Sequence, residues 1–317
     1  MITSEKDESF YIDEGQYRLG GSTLPGKKHL KEEMPCQDAV SMTRTPDGWI
    51  VLAIADGVSS SPRAELGARC AVRAVSEYWD DVSTPFATQE GILPLLRSTL
   101  NFAQRKIDDI KKSSGWPIES DCCETTLGVA LIIPGEQAFF ACVGDGGIYI
   151  LDSSGKTELI SEAKSPDSQQ VTPLSAGPQS WHFCTRRLDG ICSVVMVTDG
   201  IADTVREKTA DYSLLRNFLK YSPSYRTGGY RDFCREVLEG DDFAAMTDDA
   251  AVVFWQQSQV DETGRPAEQE KQMEAERDIS TAQPEDPDPA PETGPVSVLE
   301  SLVQSVKNLI GIRKKEE

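Results

Sequence analysis

The sequence is poor in histidine, in paired cysteines and in positive charge, and each shortage argues against a class of function. Its 317 residues include two histidines, His29 and His182, neither near a cysteine cluster, so we expect no zinc site. The eight cysteines form no C-x-x-C pair and several lie in apolar runs, which predicts free thiols in a reducing cytoplasm. Lys and Arg number 32 against 52 Asp and Glu, and this net charge of −20 argues against nucleic acid as a partner.

Long apolar runs are also missing from the sequence. No stretch reaches the roughly 18 consecutive apolar residues of a membrane-spanning helix. The acidic segment 1–15 lacks the basic start and apolar centre of a secretory signal. We therefore expect a cytoplasmic protein without a membrane span, in which one large domain carries a tail.

Composition divides the chain into four parts. Residues 1–16 are predicted to be an N-terminal extension, and residues 17–255 one domain in which strand-like and helical patterns alternate. Residues 256–295 are rich in Glu, Gln, Asp and Pro, which predicts a disordered linker. Residues 296–317 regain helical periodicity and are predicted to be an amphipathic helix. That helix could dock on a partner, lie on a membrane surface or pack back on the domain.

Apolar periodicity predicts the elements of the central domain. Two long helices are expected at 63–79 and 93–111, and shorter helical stretches at 214–219 and 233–238. Strands are expected at 49–55, 125–133, 137–143, 147–151, 181–185, 193–198 and 250–255.

Four segments place an aspartate where an apolar run meets a turn. Asp56 and Asp199 each follow a strand-like run and precede a glycine, Asp38 lies in CQDAV, and Asp248 and Asp249 stand before the run 250–255. If these strands lie side by side, their carboxylates converge, and their mutual repulsion calls for a proton or a divalent cation. Hard oxygen ligands favour Mg²⁺ or Mn²⁺. The pattern therefore predicts a two-metal hydrolase, which needs no Ser, Cys or His nucleophile.

Six short segments, in this order, resemble the metal-dependent protein phosphatases, the PPM or type 2C family, in its bacterial form. They are QDA at 37–39, ADG at 55–57, ETT at 124–126, VGDGGIYIL at 143–151, TDGIAD at 198–203 and DDAAVVF at 248–254. The resemblance implies an α+β fold, a four-layer α-β-β-α sandwich of two antiparallel sheets flanked by helices. It also implies a serine/threonine phosphatase that hydrolyses phosphoserine and phosphothreonine through a water activated by a binuclear Mn²⁺ or Mg²⁺ centre. The implied partner is a phosphoprotein, either a cognate serine/threonine kinase or its targets.

The same resemblance assigns roles to individual residues. Asp56 matches the aspartate that bridges both ions, and the carbonyl of Gly57 matches a further ligand. Asp38 matches the carboxylate that acts through metal-bound water. Asp199 and Asp248 match the remaining ligands of the two ions.

Two further aspartates have matches in the family. Asp145 matches the residue that, together with Asp199, holds a weaker third ion in some bacterial members. Asp249 occupies a position where the family usually has Asn or Asp, so we expect it to support the metal ligands from behind.

The sequence departs from the family around the substrate phosphate. Many members have an arginine five residues before the first aspartate, whereas this chain has Glu33, which would repel a phosphate. His29 is therefore a candidate catalytic residue that contacts the phosphate or donates a proton, although a structural hydrogen-bonding role is the alternative. Other cationic candidates for the phosphate are Lys27, Lys28, Lys31 and Arg63.

Three functions remain open at this point. The first is the phosphatase itself. The second is a catalytically weak regulatory or binding module with the same fold, which the missing arginine would explain. The third is a metal-dependent hydrolase of small phosphoesters.

Overall fold

The computed structural model describes residues 9–81, 89–154, 156–161, 171–207, 212–224, 226–240 and 247–258. The chain divides into two units, residues 1–266 and 267–317, and the second lies wholly outside the described residues. Most of the predicted linker and all of the predicted C-terminal helix at 296–317 also lie outside them. The four-part division of the chain therefore stays a prediction.

The described strands form two antiparallel sheets. The first contains, in spatial order, β1 (Ser9–Asp13), β2 (Tyr17–Leu24), β11 (Ala250–Gln257), β10 (Ile191–Val197), β7 (Gly147–Asp152) and β8 (Thr157–Leu159). The second contains β3 (Asp38–Arg44), β4 (Ile50–Asp56), β5 (Leu127–Ile133), β6 (Gln137–Val143) and β9 (His182–Arg187). Each sheet brings together strands from distant parts of the sequence.

The central strand β4 shows why the molecule is layered. Its side chains alternate between the two faces of the sheet, as in any strand. Val51 and Ala53 belong to an apolar cluster shared with the helices outside this sheet, whereas Leu52 and Ile54 belong to the cluster between the two sheets. Because both faces of the strand are buried, residues 50–55 are all apolar.

Helices cover the outer face of each sheet. The second sheet carries α2 (Ala64–Asp81) and α3 (Gln89–Ser113), whose apolar faces share one core cluster with it. The first sheet shares a core cluster with α4 (Asp199–Glu207), α5 (Ser213–Phe218) and α6 (Tyr230–Glu239). The short helix α1 (Lys27–Glu32) follows β2. The predicted four-layer α+β sandwich is confirmed.

The pattern missed six of the described strands and α-helices, namely β1, β2, β3, β8, α1 and α4. Residues 9–13, predicted within an N-terminal extension, pair with β2 and form the edge of the first sheet. Strand β3 was missed because polar residues follow Val40, which leaves an apolar run too short to predict a strand. Helix α4 begins at Asp199 itself, within a TDG segment that resembles a simple turn.

Candidate metal centre

Four of the predicted aspartates, Asp38, Asp56, Asp145 and Asp199, meet at one end of the sandwich. Asp56 is the last residue of β4 and pairs in register with Asp38, the first residue of β3. Asp199 opens α4 directly after β10, and Asp145 lies in the turn between β6 and β7. Strand ends of both sheets therefore deliver these carboxylates to a single place.

Three of these carboxylates form a compact oxygen cluster. Asp56, Asp145 and Asp199 each offer one oxygen, and these oxygens all lie within 4.8 Å of one another. Asp145 is buried, while the other two are half-buried. An all-carboxylate donor set suits hard cations such as Mg²⁺ and Mn²⁺, which retain water in their remaining positions. The residues present therefore fit the predicted metal ions.

Asp38 is almost fully buried beside this cluster, with 1% of its surface exposed. Its Oδ2 accepts a hydrogen bond of 2.7 Å from the hydroxyl of Thr198. Burial raises the pKa of the Asp38 carboxyl well above its usual value; the Thr198 hydrogen bond opposes this, and the charges of Asp249 and Asp199 raise the pKa further. Without a cation, proximity to these carboxylates thus disfavours the ionised form of Asp38.

Asp56 experiences the same repulsion. Protein atoms surround its carboxyl on most sides, and this burial raises its pKa well above the usual value. The charges of Asp38, Asp199 and Asp145 raise it further. A divalent cation would offset both effects, because it replaces the bound proton with a stronger positive charge.

The backbone of Asp56 is fixed by two threonines of the ETT segment. Its N–H donates to the hydroxyl of Thr126 at 3.0 Å, and its carbonyl accepts the N–H of Thr126 at 2.8 Å. The same carbonyl accepts the hydroxyl of Thr125 at 2.9 Å. These contacts hold the end of β4 at the place where its carboxylate enters the site.

Gly57 occupies a position where a side chain would not fit. Its N–H donates to the carbonyl of Gln37 at 3.1 Å, and a Cβ atom here would lie 2.7 Å from the backbone of Ala64. Such a contact is too short for any other residue. The close approach of α2 therefore requires glycine directly after Asp56.

The structure separates Asp248 from the three-carboxylate cluster. Asp248 is exposed, and its Oδ1 accepts the N–H of Asp249 at 2.9 Å. Asp249 is buried: Oδ1 accepts the N–H of Gly26 and Oδ2 that of Gln37, both at 2.6 Å. Its Oδ2 also lies 2.8 Å from Nδ1 of His29. Asp249 thus connects α1, the segment before β3 and the start of β11.

His29 is the buried residue of α1, with 6% of its surface exposed. Glu33 ends this helix in the left-handed region, with φ of 54°, and its N–H donates to the carbonyl of His29. The side chain of Glu33 is exposed, as are Lys28 and Lys31. The Arg63 side chain is 57% exposed and lies 3.9 Å from Glu65.

Sequence reasoning did not find the residues that hold the carboxylates in place. Thr126 lies inside the quoted ETT segment and Thr198 inside the quoted TDG segment. Only the structure shows that the Thr126 hydroxyl accepts the backbone N–H of Asp56 and that the Thr198 hydroxyl donates to the carboxylate of Asp38.

A buried lysine was also missed. Lys111 is buried at the end of α3, where Nζ donates to the carbonyl of Ser120 at 2.6 Å and lies 3.4 Å from Glu124 Oε1. In the sequence, nothing distinguishes Lys111 from an ordinary surface lysine.

None of the helices in the described ranges is long and apolar enough to cross a membrane.

Comparison with known proteins agrees with this fold. The sequence matches the family model described as Protein phosphatase 2C over residues 25–240. The fold is similar to serine/threonine phosphatase Stp1 from Staphylococcus aureus, at 15% identity and a TM-score of 0.59, over 76% of this chain and 95% of that chain. No curated protein matches the sequence significantly.

Two further solved structures show the same similarity of fold. The serine/threonine phosphatase of S. agalactiae is 16% identical with a TM-score of 0.58, over 76% of this chain and 99% of that chain. The catalytic domain of serine threonine protein phosphatase PstP, in complex with two manganese ions, is 16% identical with a TM-score of 0.54, over 76% and 97% of the two chains.

Proposed function

The chain belongs to the protein phosphatase 2C family, and from this we propose that it is a metal-dependent protein serine/threonine phosphatase. Its substrate would be a phosphoprotein bearing phosphoserine or phosphothreonine, either a partner kinase or the targets of that kinase in the cytoplasm. The observation that carries the proposal is the oxygen cluster of Asp56, Asp145 and Asp199, in which three carboxylates lie within 4.8 Å. Ionised carboxylates this close repel one another, and a bound divalent cation would offset that repulsion.

We propose that the site takes Mn²⁺ or Mg²⁺, two ions at the core and a third at Asp145 and Asp199. When bound, the metal would neutralise charge on the phosphate and make a water molecule a usable nucleophile near neutral pH. Asp56, Asp199 and Asp248 are the proposed side-chain ligands, with Gly57 contributing its carbonyl. For Asp248, an exposed residue outside the compact cluster, this role requires its carboxylate to turn toward the ions.

Asp38 and Asp56 are the proposed catalytic carboxylates. They are paired in register in β3 and β4, and burial together with the charge of Asp38 raises the pKa of the Asp56 carboxyl. Asp38 would accept a proton from the attacking water, because its buried carboxylate lies directly beside the oxygen cluster. Asp56 would supply a carboxylate that holds the ions.

His29 is the proposed contact with the phosphate or the leaving group. In this role Oδ2 of Asp249 would accept the hydrogen bond of Nδ1–H, so that Nε2 is the ring nitrogen available to the substrate. In this arrangement a carboxylate orients an imidazole, as in other acid–base sites. The exposed Glu33 at the end of the same helix would weaken phosphate binding unless His29 or a neighbouring lysine compensates.

A second candidate, the catalytically weak regulatory module, is favoured by one observation. Glu33 stands where a phosphate-binding arginine is expected, and its side chain is exposed at the rim of α1. A module of this kind would bind metal and partner but turn over slowly.

The deciding experiment is hydrolysis of a phosphothreonine peptide by the full-length protein with Mn²⁺, with Mg²⁺ and with chelator, beside Asp56→Asn. A phosphatase should show metal-dependent turnover that Asp56→Asn lowers by at least about 100-fold. A small aryl phosphate is assayed in parallel. Turnover of the peptide supports a protein phosphatase, whereas turnover of the aryl phosphate alone supports a hydrolase of small phosphoesters. Metal binding without turnover on either substrate would favour the regulatory module.

A further inference from the structure

The hydroxyl of Thr198 links the two sheets at the metal centre. Thr198 follows β10 of the first sheet, is 2% exposed, and donates its hydroxyl proton to Oδ2 of Asp38, the first residue of β3 in the second sheet. The same hydroxyl oxygen accepts the N–H of Ala251 in β11 at 2.8 Å. One buried oxygen therefore joins three strands at the edge where the carboxylates converge.

The two contacts use both functions of the hydroxyl group. A backbone N–H can only donate, so Thr198 Oγ1 is the acceptor from Ala251. The single hydroxyl proton is donated to Oδ2 of Asp38. Asp38 is thereby held with Oδ2 toward Thr198, which leaves Oδ1 for the partners on its other side.

The backbone holds the hydroxyl rigidly in this position. The N–H of Thr198 donates to the carbonyl of Ala251 at 3.1 Å, so main chain and side chain contact the same residue. The next residue, Asp199, contributes an oxygen to the three-carboxylate cluster. Thr198 therefore sets the position of Asp38 relative to Asp199 across the gap between the sheets.

We propose that Thr198 is a positioning residue of the metal centre, whose hydroxyl orients the Asp38 carboxylate toward the ions and the attacking water. The inference rests on the proposed function, since it assigns Thr198 a role toward the metals of that site. Residues that hold a site carboxylate by a hydrogen bond typically change metal affinity or activity by about 10- to 100-fold when they are replaced.

The test compares Thr198→Val, which removes the hydroxyl at similar size, with Thr198→Ser, which keeps it. Titration of the metal-free full-length protein with Mn²⁺, followed by calorimetry without substrate, should show affinity lowered about 10- to 100-fold in Thr198→Val and nearly retained in Thr198→Ser. Turnover of a small aryl phosphate should fall through kcat, with KM within about twofold, because the proposed role of Asp38 is toward the attacking water and not in binding the substrate.

Thr99→Val is the matched control. Thr99 is equally buried, at 0% exposure, and its hydroxyl donates to the carbonyl of Leu95 within α3, away from the carboxylates. This variant should lose stability without losing affinity for Mn²⁺. Equal metal affinity and kcat in Thr198→Val and wild type would overturn the proposal, as would equal losses in Thr198→Val and Thr99→Val.

If Thr198→Val does not fold, the wild-type hydroxyl proton provides the second test. Buried in the hydrogen bond from Thr198 Oγ1 to Asp38 Oδ2, it should exchange slowly with water and be visible by proton NMR in the metal-free protein. Rapid exchange of that proton would overturn the proposal. If the wild type binds Mn²⁺ and Thr198→Val binds it equally well, the positioning role of Thr198 is wrong but the proposed function stands. If the wild type does not bind Mn²⁺, the proposed metal-dependent function is wrong.

Discussion

Nδ1 of His29 lies 2.8 Å from Oδ2 of Asp249, and both side chains are buried although 220 residues separate them in the sequence. The same carboxylate accepts the backbone N–H groups of Gly26 and Gln37, both at 2.6 Å. Asp249 thus satisfies three buried donors in the segment that leads into β3. The proposed catalytic histidine therefore depends on an aspartate that the sequence placed only in a supporting role.

Asp249→Asn should destabilise the metal-free protein almost as much as Asp249→Ala. With its amide oxygen toward Gly26, the asparagine turns its NH₂ group toward the N–H of Gln37, so two donors face each other. We expect a loss of about 2–4 kcal/mol in the free energy of unfolding, partly offset by weaker repulsion of Asp38. Urea denaturation in chelator measures the loss, and a change below about 0.5 kcal/mol would contradict this account of Asp249.

Lys111→Met should destabilise the protein far more than Lys112→Met. Lys111 is 1% exposed and binds the carbonyls of Ile118 and Ser120 as well as Glu124, whereas Lys112 is 57% exposed and 3.6 Å from Asp109. Removing the buried ammonium leaves acceptors unsatisfied at a cost of about 3–5 kcal/mol. Thermal unfolding of the two variants makes the comparison, and similar melting temperatures would show that the buried ion pair contributes little.

Stabilisation by Mn²⁺ should increase with pH. Burial and neighbouring charges raise the pKa values of Asp38 and Asp56 above the reference of 3.8, so the folded protein binds these protons more tightly than the unfolded chain. In chelator, this contribution to stability is present at low pH and is lost as the pH rises through the folded pKa values. A metal ion competes with those protons for the carboxylates, so it binds more tightly at a pH at which Asp38 and Asp56 are deprotonated.

We therefore expect the rise in melting temperature on adding Mn²⁺ to be larger at about pH 7.5 than at about pH 5.5. The variant Asp38→Asn, which lacks one of the two titrating groups, should show a weaker pH dependence in chelator. A metal-induced shift that is the same at both pH values would show that protons and ions do not share the site.

Removing residues 296–317, which lie outside the described residues, should leave hydrolysis of a small aryl phosphate unchanged. If this predicted helix docks on a partner, which is one of the three placements that the sequence leaves open, action on the phosphoprotein partner should weaken. Steady-state kinetics on both substrates test this. Equal loss of both activities would indicate that the segment belongs to the catalytic domain.

Much of the fold could be predicted from the sequence. Strand β6 has the predicted bounds, and the predicted helices at 63–79 and 93–111 correspond to α2 and α3. These elements have strong periodicity, because one face or both are buried along their whole length. Strand β1 was missed since its burial depends on pairing with β2, and α4 was missed since a TDG segment carries no helical period.

The candidate site was predictable in chemistry but not in geometry. Aspartates at strand ends indicated a hard-cation site, and the structure brings Asp56, Asp145 and Asp199 together. It leaves the predicted ligand Asp248 exposed and outside that compact cluster. Two adjacent aspartates at the start of a strand point in different directions, so sequence alone could not decide which of them turns inward.

The sequence by itself determined the residue types at the strand ends, the layered α+β pattern and the resemblance to a phosphatase family, because periodicity and side-chain chemistry are local properties. Only the tertiary structure decided which groups hold those residues. Thr198 reaches Asp38 across 160 residues, and Asp249 reaches His29 across 220. Such contacts form when two sheets pack face to face, and no local pattern in the chain encodes the partner that packing will supply.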